Sequence, residues 1–167
     1  MTTPRTSTKH GRNELVADYI KVSDVKAANT HGGTFTSGAW RTRDINTEDS
    51  DDGGHCSISA NQITLAAGTY TCRISANAYF IDSHKAKLYN ISDSADVLIG
   101  TSEYTERGVT ATQSRSIISG KFVLTASKVL EVQHYCATTQ TTVGFGVACN
   151  FGVSEIYTVA EFWKVAY

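Results

Sequence analysis

The stretch QITLAAGTYTCRISANAYFID, residues 62–82, constrains the fold of this chain more than any other, because apolar side chains occupy every second position through most of it. The apolar row consists of Tyr70, Cys72, Ile74, Ala76, Ala78 and Phe80. Successive side chains of a strand point to opposite faces, whereas on a helix both rows would spread around the cylinder. The pattern therefore predicts a half-buried antiparallel strand.

Similar alternation recurs along the chain and predicts further strands. These lie at about 17–25, 84–91, 97–104, 115–125, 128–138 and 155–167, with a hairpin turn at 92–95. The acidic run TEDSDDGG, residues 47–54, is predicted from its composition to be a loop. Short strands joined by turns, with one proline and no long helix, predict an all-β jelly-roll sandwich of two antiparallel sheets.

Length and charge limit the domain organisation and the classes of partner. A chain of 167 residues fits one domain, which we place at residues 15–167 behind a polar, extended N-terminal arm at residues 1–14. The net charge of -1, with no long block of either sign, argues against nucleic acid as a partner. No apolar run reaches the roughly 18 residues of a membrane span, so no membrane partner is expected.

The N-terminus lacks the hydrophobic segment of a secretory signal, so we expect assembly in a cytoplasm. A reducing compartment favours free thiols over disulfides. The four cysteines, Cys56, Cys72, Cys136 and Cys149, are therefore predicted to be reduced, mostly as small buried side chains.

No recognised catalytic motif is present, so no catalytic residue, metal ligand or cofactor is predicted. The acidic run fails the EF-hand template, because position twelve from Asp49 is Ala60 where a bidentate Glu is required. His84, His134 and Glu131 could converge in space, but structural histidines are the more common outcome at strand positions. The chain is expected not to be an enzyme.

The closing strand, residues 155–167, carries aromatic side chains on both rows, with Phe162 on one and Trp163 on the other. A strand that is apolar on both faces is covered on both faces. One row is therefore predicted to meet the core and the other a neighbouring subunit, in preference to a sugar platform. The predicted subunit interface comprises Tyr135, Tyr157, Phe162, Trp163 and Tyr167.

Several segments carry a family resemblance. They are WRTRDINT, QITLAAGTY, HKAKLYN, GTSEY, GFGVACNFG and EIYTVAEFWKVAY. Over most of residues 34–167 the chain resembles the globular jelly-roll heads of the tumour necrosis factor and complement type, especially those of bacteriophage virion proteins. The resemblance implies a ten-stranded, two-sheet sandwich that assembles as a homotrimer and a place on the outside of a phage particle.

On that basis the expected function is a virion structural protein, a trimeric surface knob that decorates or stabilises the particle as a capsid decoration protein or head fibre. Arg5, Lys9 and Arg12 of the arm would dock on an acidic surface of another virion protein, such as a major capsid or tail protein. One alternative is the receptor-binding tip of a tail fibre, with a host surface glycan or protein as partner. A glycan-cleaving enzyme is the least favoured alternative.

Overall fold

The computed structural model describes residues 17–165, which form two antiparallel β-sheets. The strands are β1 Ala17–Lys26, β2 Arg41–Thr42, β3 Thr47–Asp51, β4 Cys56–Ser59, β5 Gln62–Leu65, β6 Gly68–Tyr79, β7 Asp82–Asn90, β8 Ala95–Thr105, β9 Gln113–Leu124, β10 Lys128–Cys136 and β11 Glu155–Val165. Within this part of the chain, no helix is long and apolar enough to cross a membrane.

The five-stranded sheet joins only strands that are not consecutive in the chain, whereas the six-stranded sheet also contains the consecutive pairs β4–β5 and β7–β8. The five-stranded sheet has the order β3-β1-β11-β6-β9, and the other has the order β4-β5-β10-β7-β8, with β2 added beside β10. The predicted hairpin is confirmed as the β7–β8 pair. Strands β9 and β10 follow each other in the chain but lie in different sheets, so their connection crosses between the sheets. This arrangement confirms the predicted jelly-roll sandwich.

The core lies between the sheets and is filled by the alternating rows that the sequence shows. Ile74 of β6 and Phe162 of β11 enter it from one sheet, and Leu88 of β7 and Val132 of β10 enter it from the other, each without solvent exposure. The apolar row of β6 is buried from Tyr70 to Ala78, as predicted. Phe80 departs from that row because β6 ends at Tyr79 and Phe80 has a positive φ of 58°.

The prediction of a loop at residues 47–54 is partly wrong, because Thr47–Asp51 forms the edge strand β3. β3 pairs with β1, so its backbone groups are hydrogen-bonded although its side chains show no apolar row. Its carboxylates are also used locally: Asp49 accepts from the Ser23 hydroxyl at 2.6 Å, and Asp51 accepts from the amides of His55 and Cys56. An edge strand whose side chains are all polar therefore resembles a loop in composition.

Strand β11 contains an irregularity that the alternating pattern does not reveal. Ser23 pairs with Val159 and Val25 pairs with Ile156, so Tyr157 and Thr158 together oppose a single residue of β1. Such a β-bulge changes which face each later side chain occupies. As a result Tyr157 and Phe162, which strict alternation places on opposite faces, are both buried.

Candidate functional site

Two of the five predicted interface residues are buried inside the protomer. Phe162 packs edge-on against Phe122 in the core, with no solvent exposure. Tyr157 is 3 % exposed, and its hydroxyl donates a hydrogen bond of 2.7 Å to the backbone oxygen of Thr30. Neither side chain is available to a neighbouring subunit, which corrects the prediction for these two residues. The bulge in β11 explains why the Tyr157 side chain is buried.

The other two described members of the set lie on opposite faces of the sandwich. Trp163 lies on the outer side of the five-stranded sheet, with its ring 5.5 Å from that of Tyr19. Tyr135 lies on the outer side of the six-stranded sheet, with its ring 5.6 Å from that of Trp40. The structure therefore does not bring Trp163 and Tyr135 together. Tyr167 and the arm residues Arg5, Lys9 and Arg12 lie outside the described residues.

The outer side of the five-stranded sheet, here called the β11 face, carries three rows of side chains set by strand register. The first row is Tyr19, Trp163, Thr71 and Lys121; the second is Lys21, Glu161, Arg73 and Ser119; the third includes Val159, Ser75 and Ile117. Glu161 in the middle row accepts a 2.8 Å hydrogen bond from the Tyr19 hydroxyl. The β11 face thus has an aromatic row, a charged row and a row of small or apolar side chains.

The outer side of the six-stranded sheet carries an open groove of about 730 Å³. We call it the aromatic groove; its outward-facing side chains are Trp40, Ser83, Lys85, Ser102, Tyr104 and Tyr135. Register explains the grouping, because Lys85 of β7 lies between Tyr135 of β10 and Ser102 of β8. Ser83 lies opposite Tyr104 in the next row. Strand β2 pairs with β10 and so carries the preceding Trp40 to the wall beside Tyr135.

Two lysines on β7 face the same side of this sheet but have different surroundings. The Lys87 ammonium lies 4.4 Å from the ring centre of Trp40, contacts Tyr89 and forms an ion pair with Asp96. Its side chain is consequently almost fully buried. The Lys85 ammonium, by contrast, has no hydrogen bond or ion pair within residues 17–165. Among the described residues, Lys85 is therefore a cation without an ion-pair partner at the floor of the aromatic groove.

Behind the groove, between the sheets, two histidines form a buried pair. The Nδ1 atom of His84 lies 2.9 Å from Nε2 of His134, and Nε2 of His84 lies 2.7 Å from the Ser114 hydroxyl. His84 and His134 therefore do come together in space, as the sequence analysis considered. Glu131 does not join them, because its carboxylate accepts hydrogen bonds from Thr42 and Gln62 on the other side of the strand.

Burial controls the protonation of this pair. It lowers the pKa of His84 to about 4, and it lowers the pKa of His134 well below the ordinary histidine value. The positive charge of Arg43 acts in the same direction on both rings. Both imidazoles are thus neutral near pH 7. The Nδ1 atom of His134 is the one buried side-chain polar atom within residues 17–165 that lacks a partner.

Arg43 is a buried charged residue that sequence reasoning missed. Its guanidinium is fully buried and donates to the Thr158 hydroxyl at 2.8 Å and to the backbone oxygens of Asn77 and Phe145. It also lies 4.1 Å from the ring centre of Phe145. Burial lowers its pKa to about 10. The bonds join both sheets and the loop before β11, so we interpret this cluster as a structural network.

The four thiols are free in the structure. Burial raises the pKa of Cys72 and of Cys136 to about 11 and that of Cys56 to about 12, which disfavours the reactive thiolate. Cys149 differs because it is exposed in the loop before β11. No group of three or more His, Cys, Asp or Glu side chains in the described part of the chain is arranged to hold a metal ion.

Comparison with solved structures identifies the architecture. The globular domain of zebrafish complement 1qA protein superimposes with a TM-score of 0.56 at 10 % identity, covering 90 % of this chain and 98 % of that one. The fold is the jelly roll of C1q and TNF domains. Murine APRIL also matches, with a TM-score of 0.52, 8 % identity, and coverage of 89 % and 99 %. No protein-family model and no curated protein matches the sequence.

Proposed function

We propose that this chain is a non-enzymatic, self-associating knob in which the β11 face of each of three copies packs against its neighbours. The observation that carries the proposal is the composition of that face in a C1q/TNF-like jelly roll. Trp163 and Val159 lie on the outer side of β11, next to the small side chains Thr71 and Ser75 of β6. Burying such rows between copies removes apolar area from water. In a closed cyclic trimer each copy buries the same surface against its neighbours.

Exposed apolar side chains in the loop before β11 and at the start of that strand support the same proposal. Phe151 is 83 % exposed, Val153 is 67 % exposed and Ile156 is 48 % exposed, all within six consecutive residues. Single exposed apolar side chains are common, but a group beside a partly apolar sheet face is typical of interaction sites. A neighbouring copy would bury this group together with the β11 face.

We further propose that the knob belongs to the surface of a phage particle, as a decoration protein or head fibre. This proposal rests on the sequence resemblance of segments such as HKAKLYN and GFGVACNFG to phage virion heads. In it the arm, residues 1–14, attaches the knob through Arg5, Lys9 and Arg12 to an acidic surface of another virion protein. Assembly would take place in the host cytoplasm.

A matched pair of substitutions tests the choice of face. Val159 lies on the outer side of β11 and Val129 lies on the outer side of β10, and both are half-buried. Val159→Glu places charges inside the proposed contact, whereas Val129→Glu makes the same change on the opposite sheet. In sedimentation velocity at micromolar concentration, we expect Val159→Glu to dissociate the assembly and Val129→Glu to leave it intact. The reverse outcome would assign the contact to the six-stranded sheet.

Deletion of residues 2–12 tests the arm. The arm has no apolar row to bury on its own head, so the truncated knob should keep its melting temperature and its oligomeric mass. Its attachment to particles should be lost. Normal occupancy of the truncated knob on particles would show that the head itself is the anchor.

The aromatic groove favours a second candidate function, a receptor-binding tip. Its walls and its unpaired cation face outward on the six-stranded sheet, away from the proposed contact between copies. A knob that assembles through the β11 face leaves the aromatic groove exposed.

A further inference from the structure

We propose that the aromatic groove is a binding site for an acidic sugar, a pyranose that carries a carboxylate. The inference goes beyond the proposed assembly and rests on it in one respect, since it requires the outer side of the six-stranded sheet to remain uncovered in the trimer.

The walls provide two separated aromatic surfaces. Trp40 and Tyr135 form one wall as an edge-to-face pair, and each is 38 % exposed. Tyr104 forms the opposite wall, is 61 % exposed, and its hydroxyl donates to the Asp82 carboxylate. Aromatic faces carry partial negative charge and pack well against the C–H face of a pyranose ring. Their separate positions suit a ring-shaped ligand of one or two sugar units.

The floor provides one positive charge. Lys85 has no protein partner within the described residues, whereas Lys87 on the same strand is fully engaged by Trp40 and Asp96. Glu103 also lines the groove and accepts from the Thr101 hydroxyl, and Asp82 pairs with Arg107; neither carboxylate forms an ion pair with Lys85. A single unpaired ammonium between aromatic walls is suited to one carboxylate, through a charge-assisted hydrogen bond.

Hydroxyl groups complete the site and distinguish between ligand classes. Ser83 and Ser102 lie beside Lys85, and their hydroxyls have no hydrogen-bond partner within residues 17–165. Hydroxyls that can donate and accept match the hydroxyls of a sugar. A nucleotide would require more positive charge for its phosphates than one lysine supplies. The groove volume of about 730 Å³ lies within the usual range of small-ligand sites, about 300–1,000 Å³.

The test uses the two tryptophans as internal reporters in heteronuclear NMR. The full chain has two indole N–H signals, Trp40 in the groove wall and Trp163 on the β11 face, which Trp40→Phe assigns. Sodium glucuronate and N-acetylneuraminate are titrated as probes, with glucose as the neutral control. We expect saturable shifts of Trp40 alone, with a Kd on the order of 1 mM for an acidic sugar and at least about tenfold weaker binding of glucose.

A charge-matched pair of variants tests the role of the cation. Lys85→Gln should weaken binding of the acidic sugar about tenfold and leave glucose unaffected. Lys128→Gln removes the same charge at the other end of the sheet, where Lys128 pairs with Asp93, and should leave both affinities unchanged. Equal effects of the two variants would overturn the role of Lys85.

Other outcomes overturn the assignment of the ligand. These are the absence of a saturable Trp40 shift with either acidic sugar up to about 100 mM, equal affinity for glucose, or tighter binding of adenosine monophosphate or of an acidic peptide. Oligomeric mass is measured on the same samples. A trimer without a Trp40 response refutes the sugar site alone, and a Trp40 response in a monomer refutes the proposed assembly alone.

Discussion

Acidification should destabilise this protein through the buried His84–His134 pair. Burial lowers the pKa of His84 from the ordinary 6.5 to about 4, and it lowers that of His134 in the same direction. In the unfolded chain both rings regain ordinary values. Between about pH 6.5 and pH 4 the unfolded chain therefore binds more protons than the folded one, and the free energy of unfolding falls as the pH falls.

The magnitude follows from the two pKa values of His84. Integrating proton binding from pH 7.5 to pH 5.0 gives a loss of about 2 kcal/mol from this ring alone, and His134 adds to the loss. Other neighbours modify the effect: the Glu103 carboxylate favours the charged form of His84, and Arg43 opposes it. The buried carboxyl of Asp24, whose pKa burial raises, acts in the opposite direction on stability.

Urea denaturation followed by tryptophan fluorescence at several pH values, at one fixed protein concentration, measures the loss. The double variant His84→Gln/His134→Gln should remove most of the slope, and His55→Gln, outside the buried cluster, should retain it. Imidazole NMR titration of the wild-type chain provides a second measurement if the double variant does not fold. Titration of His84 near pH 6.5 in the folded protein, or equal stability at pH 7.5 and 5.0, would refute the reasoning.

Three further outcomes are expected. Phe162→Ala should destabilise the protomer by about 3–5 kcal/mol in urea denaturation, because the ring is fully buried; a loss under about 1 kcal/mol would contradict its place in the core. Gly144→Ala should cost about 1–3 kcal/mol, because an added Cβ would lie 2.6 Å from the Gln140 oxygen, and an unchanged melting temperature would contradict this packing. A thiol reagent should modify Cys149 rapidly and Cys72 only after unfolding, and melting should be the same with and without reductant; a large drop in reductant would reveal a disulfide.

The sequence predicts the elements whose side chains alternate between core and solvent. Strand β6 shows this best, because each of its core-facing side chains from Tyr70 to Ala78 is apolar. Strand β10 shows the same alternation, with Leu130, Val132 and the polar His134 facing the space between the sheets. In both strands, burial of one face places buried residues at every second position of the sequence, and no other regular structure produces this period.

The missed features have physical reasons of two kinds. Strand β3 lacks an apolar row because it is an edge strand, and the bulge at Tyr157 inserts a residue that the alternation does not reveal. The buried Arg43 network and the aromatic groove depend on which distant strands become neighbours. Trp40, Lys85 and Tyr104 meet through strand pairing. A local sequence pattern does not predict which distant residues become neighbours in this way.

The oligomeric mass of the unmodified chain in solution tests the central claim most directly, namely that this jelly roll associates with itself as a trimer. Light scattering coupled to size exclusion at micromolar concentration should give a mass near three times 18.1 kDa. A homogeneous species of 18.1 kDa under the same conditions would contradict the claim.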